Sequence, residues 1–175
     1  AEAEFNPARE LERLAGHALD WPAIEAGRQQ RELALIARQP ILPGVEQTLQ
    51  DARRLGLRLG LASSSSCKWV AGHLRERGLW AYFDVVRAAD DVRLTKPDPE
   101  LYLAVLAELG VHGSEAVALE DSPNGIRAAK AAGMYCVAVP NKLTRQLALG
   151  EADLCVESLA DLPLERLLAE IEKLG

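Results

Sequence analysis

Three short stretches of the chain set reactive side chains at the carboxyl ends of predicted strands. "GLASSSSCKW" (Gly60–Trp69) puts four serines, Ser63 to Ser66, directly after an apolar run. "TKPDPE" fixes Lys96 before a proline, and "LEDSPNG" ends another apolar run on Glu120 and Asp121. A hydroxyl, a cation and a pair of carboxylates are the equipment that transfer of a phosphoryl group needs.

Each stretch alone is ordinary. A serine run is more often a linker, a surface lysine is usually solvated, and two adjacent acids usually sit in water. Context changes the reading. A strand-to-helix turn as short as Ser63–Ser66 has no need of flexibility, and it aims N–H groups and hydroxyls at a helix start, where anions bind. Ser63, with Ser64 beside it, is expected to donate to a phosphate oxygen. Pro97 biases Lys96 toward extended backbone, while Asp98 and Pro99 suit the N-cap and the first helical position. Lys96, held on that stub, is suited to neutralise a phosphoryl group or to orient a carboxylate.

Glu120 and Asp121 repel one another unless a cation lies between them. Hard oxygen ligands of this kind suit Mg²⁺, which keeps several waters and shares its shell with substrate phosphate. Ser122 is expected as N-cap and Pro123 at the first helical position, with Ser122 and Asn124 supporting the acidic pair from behind. Asn124-Gly125 also resembles a hairpin turn, but the helical "IRAAKAAG" that follows rejects it.

The elements that must position these groups alternate. A helix from Gly44 leads to the strand Leu57–Ala62, and a helix from Cys67 to Arg77 leads to "FDVVRA". A helix from Pro99 to Leu109 precedes "AVALE", a small-residue helix precedes "YCVAVP", and "DLCVE" and a helix from Pro163 to Leu174 close the chain. Such alternation predicts an α/β fold with a largely parallel sheet, whose ligands bind beyond the carboxyl ends of the strands. Two helices, Pro7–Ala18 and Pro22–Arg38, come first, and "QPILPG" (Gln39–Gly44) breaks the pattern. The domains expected are thus 1–40, small and helical, and 41–175.

Composition narrows the partners. The 20 basic and 26 acidic residues of this 175-residue chain are mixed along its length. That argues against nucleic acid and anionic membranes, but not against a phosphate ester, because a metal ion reverses the sign of a small site. Cys67, Cys136 and Cys155 form no C-x-x-C pair and are expected as reduced, buried thiols of a cytoplasmic protein, Cys136 and Cys155 inside apolar strand-like runs. His17, His73 and His112 lack metal-ligand spacing. No G-x-G-x-x-G follows a strand, which rejects a dinucleotide site.

In their order and spacing, "LPGV", "GLASSSS", "TKPDPELY" and "LEDSPNGIRAAKAAG" resemble the haloacid dehalogenase superfamily, in its branch of β-phosphoglucomutases and phosphoglycolate phosphatases. The resemblance implies a Rossmann-like three-layer αβα core with a helical cap, here a partial one. It implies that Ser63 binds the transferring phosphate, that Lys96 steadies nucleophile and phosphate, and that Glu120 and Asp121 help hold Mg²⁺. It further implies a small phosphorylated metabolite, such as a sugar phosphate, as substrate.

The family's first motif, D-x-D-G-T, is absent from these residues. It carries the nucleophilic aspartate and an acid–base aspartate on the central strand. The start at Ala1 rather than methionine and the two-helix cap favour a longer protein with that strand in front. The alternative is a non-catalytic phosphate- or Mg²⁺-binding or assembly fragment. With the front present, the expected activity is a Mg²⁺-dependent phosphatase with an aspartyl-phosphate intermediate, acting as a monomer or, failing that, a dimer.

A phosphosugar mutase is the runner-up. Mutases of this branch commonly carry a lysine three residues after the phosphate-binding serine, where this chain has Ser66; Lys68 lies two further on. Trp21, Arg28 and Arg31 are the cap residues that could meet a substrate, though exposed helix surface is the role expected of them. Trp69 and Trp80 are expected to pack helices on the sheet.

Overall fold

The structure, a computed structural model, describes residues 7–173 and divides into two compact units, Ala1–Pro40 and Ile41–Gly175. In the first unit α1 spans Pro7–Ala15 and α2 spans Trp21–Ala37. The first helix stops three residues short of the expected end because Gly16 turns left-handed, at φ 73°, a conformation that glycine takes without steric cost. Asp20 starts the second by accepting from the Ala23 N–H at 3.1 Å. Glu12 ties the two together, accepting from Trp21 Nε1 at 2.8 Å and from the Leu19 N–H at 3.2 Å. No described helix is long and apolar enough to cross a membrane.

In the second unit the order is α3 (Val45–Arg54), β1 (Gly60–Ala62), α4 (Cys67–Glu76), β2 (Val85–Arg87), α5 (Glu100–Leu109), β3 (Val117–Glu120), α6 (Pro123–Ala131), β4 (Tyr135–Ala138), β5 (Leu154–Cys155) and α7 (Leu164–Ile171). Every predicted element is present, and all strand pairs are parallel. The strands fall into two sheets, β1-β2 and β3-β4-β5. β1 is only half its predicted length. Leu57 is still tied to the preceding helix through the Ala52 carbonyl, and the Leu59 N–H goes to the Asp84 carboxylate instead of to a strand.

Side chains alternate across a strand with period two, and that alternation builds three layers. On β4, Cys136 and Ala138 face a cluster with Tyr102 and Leu106 of α5 and Ile126, Ala128 and Ala129 of α6. Val137 faces the other way, into Ala52 of α3 and Leu164 and Leu167 of α7. The "AAKAA" run of the sequence is thereby explained: fully buried Ala128 and Ala129 let α6 lie close on β3 and β4. On β3, Ala118 points to the α5–α6 side and Val117 to the α3–α7 side. Glu120, two residues beyond Ala118, therefore points in among the α5 and α6 side chains.

Trp80 departs from expectation. It remains 36% exposed, with the Arg75 guanidinium 4.6 Å above its ring, where a cation meets the negative face of the indole. Trp69 is half-buried and meets His73 edge to face.

Candidate active site

β3 delivers an acid at its last position, and the three-layer packing decides what that acid meets. Glu120 is the one buried charged side chain among the described residues, at 8% exposure. Its Oε1 accepts from Lys96 Nζ and from the Tyr102 hydroxyl at 2.5 Å. The Lys96 ammonium also lies 4.7 Å above the Tyr102 ring. A buried carboxylate is tolerable only when paired and hydrogen-bonded, and here both conditions hold. Gly125, in the first turn of α6, is what makes room: a Cβ there would overlap the Glu120 carboxylate.

Lys96 is thus held by an acid on one strand and an aromatic ring on α5, at the end of a Lys96–Pro97 cis peptide. Asp98 is not the N-cap expected of it: α5 starts one residue later, with Pro99 at the cap position and no side-chain cap, and Asp98 accepts from the Glu100 N–H at 3.0 Å from one residue further back. Glu100 in turn receives the Arg93 and Leu94 N–H groups. The segment carrying Lys96 is pinned on both sides.

Asp121 leaves the strand half-buried. Its carboxyl is raised above the usual range, first by burial and then by the charge of Glu120; hydrogen bonds, including one from Asn141, and the Lys96 charge pull the other way. Asn141 Nδ2 donates to Asp121 Oδ2 at 2.7 Å. Ser122 caps α6 as expected, accepting from the Gly125 N–H at 3.1 Å, with Pro123 next. Asn124 does not support the acids. It is exposed, and its Oδ1 accepts from Arg127 at 2.8 Å along the helix surface, because the first turn of α6 points that position outward.

The serine turn is ordered. Ser63 continues the β1–β2 pairing through its N–H to the Arg87 carbonyl at 2.9 Å, and its Oγ accepts from the Ser65 N–H at 3.1 Å. Ser66 is the N-cap of α4, with its Oγ on the Trp69 N–H. The start of α4 is not vacant for an anion, because Asp90 already accepts from the Cys67 N–H. Asp91 receives the Ala88 N–H at 2.8 Å and the Cys67 thiol at 3.4 Å. At the Ser63 and Ser64 end of the turn, no side-chain acceptor among the described residues takes the backbone N–H groups in this way. That hydrogen bond to Asp91, then burial, raises the Cys67 thiol above its usual range, which keeps it protonated.

The structure joins Lys96 to Glu120, and Asp121 to Asn141, at one strand end. Ser63 stands at the end of β1, in the other sheet, and among the described residues it makes no hydrogen bond to the β3 group. Sequence reasoning missed Tyr102 and Asn141. Tyr102 carried a weak signal, six residues after the lysine and on the buried face of α5; Asn141 carried none. In the first unit Arg28 is committed to Glu25 and Glu32, Trp21 to Glu12, and Arg31 is exposed. A concavity lined by Gly44, Thr48, Asp51 and Leu164 contains none of the site residues.

A metal ion would find a partial shell. Among the described residues no group of three or more His, Cys, Asp or Glu is arranged to hold a metal ion, and Glu120 turns its Oε1 to Lys96. Asp121 keeps Oδ1 without a donor side chain, and burial beside a second acid disfavours its bare charge. That environment fits a hard cation that draws its remaining ligands from water and phosphate.

Known proteins resemble this chain. YhcW of Bacillus subtilis (strain 168) is 46% identical over 166 residues, covering 95% of this chain and 76% of that protein. Hexitol phosphatase B of Escherichia coli (strain K12) is 40% identical over 102 residues, 58% of this chain and 46% of that one. A crystal structure of a CbbY variant from Rhodobacter sphaeroides in complex with xylulose-(1,5)bisphosphate superposes with a TM-score of 0.71 at 38% identity, over 83% of this chain and 68% of that one. The family model for haloacid dehalogenase-like hydrolases matches residues 4–133. With the parallel three-layer core, the lysine after β2 and the acid pair ending β3 in place, the chain belongs to the haloacid dehalogenase-like hydrolases.

Proposed function

We propose that the protein is a Mg²⁺-dependent phosphatase of a small phosphomonoester, a sugar phosphate or a compound like it, working through an aspartyl-phosphate. The observation that carries the proposal is the end of β3: Glu120 holds Lys96 in place while the neighbouring Asp121 is half-buried with Oδ2 on Asn141. The names of hexitol phosphatase B and of the CbbY complex support a phosphorylated sugar.

In this reading Lys96 binds phosphoryl oxygens as charge shifts toward them, and Ser63 and Ser64 donate from the neighbouring strand end. Asp121, with Glu120 Oε2 behind it, holds the cation. The chemistry that a bound Mg²⁺ supplies at such a site is neutralisation of the phosphate beside an attacking carboxylate. That carboxylate, and the acid that protonates the leaving oxygen, belong to a D-x-D-G-T motif outside these 175 residues, on a strand that would pair with β1 and β3. Residues 1–40 act as part of a cap. The three thiols are unbridged, which suits the cytoplasm, but only Cys136 is buried as expected. Cys67 is half-buried, and Cys155 is exposed because β5 is the edge strand of its sheet.

Ser66 favours hydrolysis over mutase chemistry, because its hydroxyl is spent on capping α4 and no ammonium stands at that position for a second phosphate. The test is phosphate release by the full-length protein from a panel of sugar phosphates, with and without Mg²⁺. Asp121→Asn is expected to lower turnover by orders of magnitude with the fold intact. Near-normal turnover in that variant sinks the assignment.

A further inference from the structure

The side chain placed against Asp121 comes from a loop that no motif marks. β3 and β4 run parallel with Glu120 opposite Ala138, and the Val139 N–H extends the ladder to the Glu120 carbonyl at 2.6 Å. One step past the buried Pro140, the chain brings Asn141 beside Asp121. The strand register therefore sets the distance between the two side chains, before any loop conformation enters.

Loop conformation then sets the orientation. Asn141 Oδ1 accepts from the Leu143 N–H at 2.8 Å and the Thr144 N–H at 3.1 Å. The Asn141 N–H donates to Thr144 Oγ1 at 3.0 Å, and the Asn141 carbonyl accepts from the Arg145 N–H at 3.0 Å. With the amide oxygen saturated by two backbone donors, the amide has one way round: its nitrogen faces Asp121 Oδ2. Leu143, in the middle of this turn, is 83% exposed, so the turn is held by these bonds and not by packing.

We propose that Asn141, locked by Thr144, is the positioning residue of the cation site: it fixes the rotation of the Asp121 carboxylate so that Oδ1 is presented to the ligand. The inference rests on the reading of Asp121 as a cation holder. A carboxylate free to turn about its axis presents either oxygen in any orientation; one with Oδ2 held at 2.7 Å by an amide donor is fixed in rotation, with Oδ1 the oxygen left without a side-chain donor. Outer partners of this kind typically carry about 10- to 100-fold of metal affinity.

Mn²⁺ titrated into the full-length protein, with free Mn²⁺ read by electron paramagnetic resonance, tests this without reference to turnover. Asn141→Ala is expected to weaken binding about tenfold. Thr144→Val should weaken it several-fold, with Thr144→Ser restoring wild-type affinity, which covers the case in which the Asn141 variant folds poorly. Leu143→Ala removes only an exposed side chain and keeps the backbone N–H that donates to the Asn141 amide oxygen, so it should bind as wild type. Unchanged affinity in Asn141→Ala, or an equal loss in Leu143→Ala, overturns the positioning role while Asp121 still stands as ligand. Wild-type affinity in Asp121→Asn overturns the cation site itself, and the inference with it.

Discussion

Replacing Gly125 with alanine puts a methyl group where the Glu120 carboxylate lies. On helix propensity alone the change should stabilise, by at most about 1 kcal/mol. The geometry reverses the sign. The carboxylate cannot retreat, because β3 is locked to β4 at Glu120 opposite Ala138, and Lys96 and Tyr102 hold the far side. Either α6 shifts on a cluster that includes fully buried Ala128 and Ala129, or Glu120 leaves its partners. Overpacking costs about 1–3 kcal/mol and breaking a buried ion pair about 3–5. A net loss of about 2–4 kcal/mol is expected, read as a lower urea midpoint at constant slope. Glu120→Ala alone should cost a similar amount, by stranding the Lys96 ammonium at 13% side-chain exposure. The double variant settles the mechanism: with the carboxylate gone the new methyl has room, so Glu120→Ala with Gly125→Ala should be no less stable than Glu120→Ala alone. Additive losses, or a Gly125→Ala variant as stable as wild type, would refute the packing argument.

Two further outcomes follow from the same core. Burial, and next the charge of Glu120, push the Cys136 thiol up to about 12. The folded state then keeps a proton that the unfolded chain loses near pH 8.5. The sign follows from linkage: this contribution is fully present below the unfolded value and is lost as pH rises toward 12, at up to about 1.4 kcal/mol per pH unit. Denaturant midpoints at pH 8 and pH 10 should fall less steeply in Cys136→Ala than in wild type; parallel slopes would disprove it. Lys96→Met should lower stability by about 3 kcal/mol, because it leaves the buried Glu120 without its counter-charge. Adding Glu120→Gln should recover part of that loss in a urea melt, and no recovery would mean that Lys96 matters for packing alone.

The serines, the lysine and the acid pair were legible because each is a local solution at a strand end. Ser66 and Ser122 cap the helices that follow, and capping is decided within four residues. Order and type of the elements were legible for the same reason, since the hydrophobic period is a property of the chain alone. Strand length was not: β1 pairs over three residues because hydrogen bonding to a neighbour, and not the apolar run Leu57–Ala62, limits a strand.

Partnership was settled only in three dimensions. The sequence put Glu120 and Asp121 side by side as one pair. Strand alternation sends the first inward to Lys96 and Tyr102, and the chain's exit from the sheet leaves the second half-buried with Asn141. It aimed a helix N-terminus at phosphate, but Asp90, 23 residues from Cys67, already sits there. Asn141 comes from a loop 20 residues beyond Asp121, brought close by parallel register. Local propensity and capping act over a few residues and are written in order along the chain. Which charged groups meet depends on register and layer packing, and those exist only once strands far apart in sequence have paired.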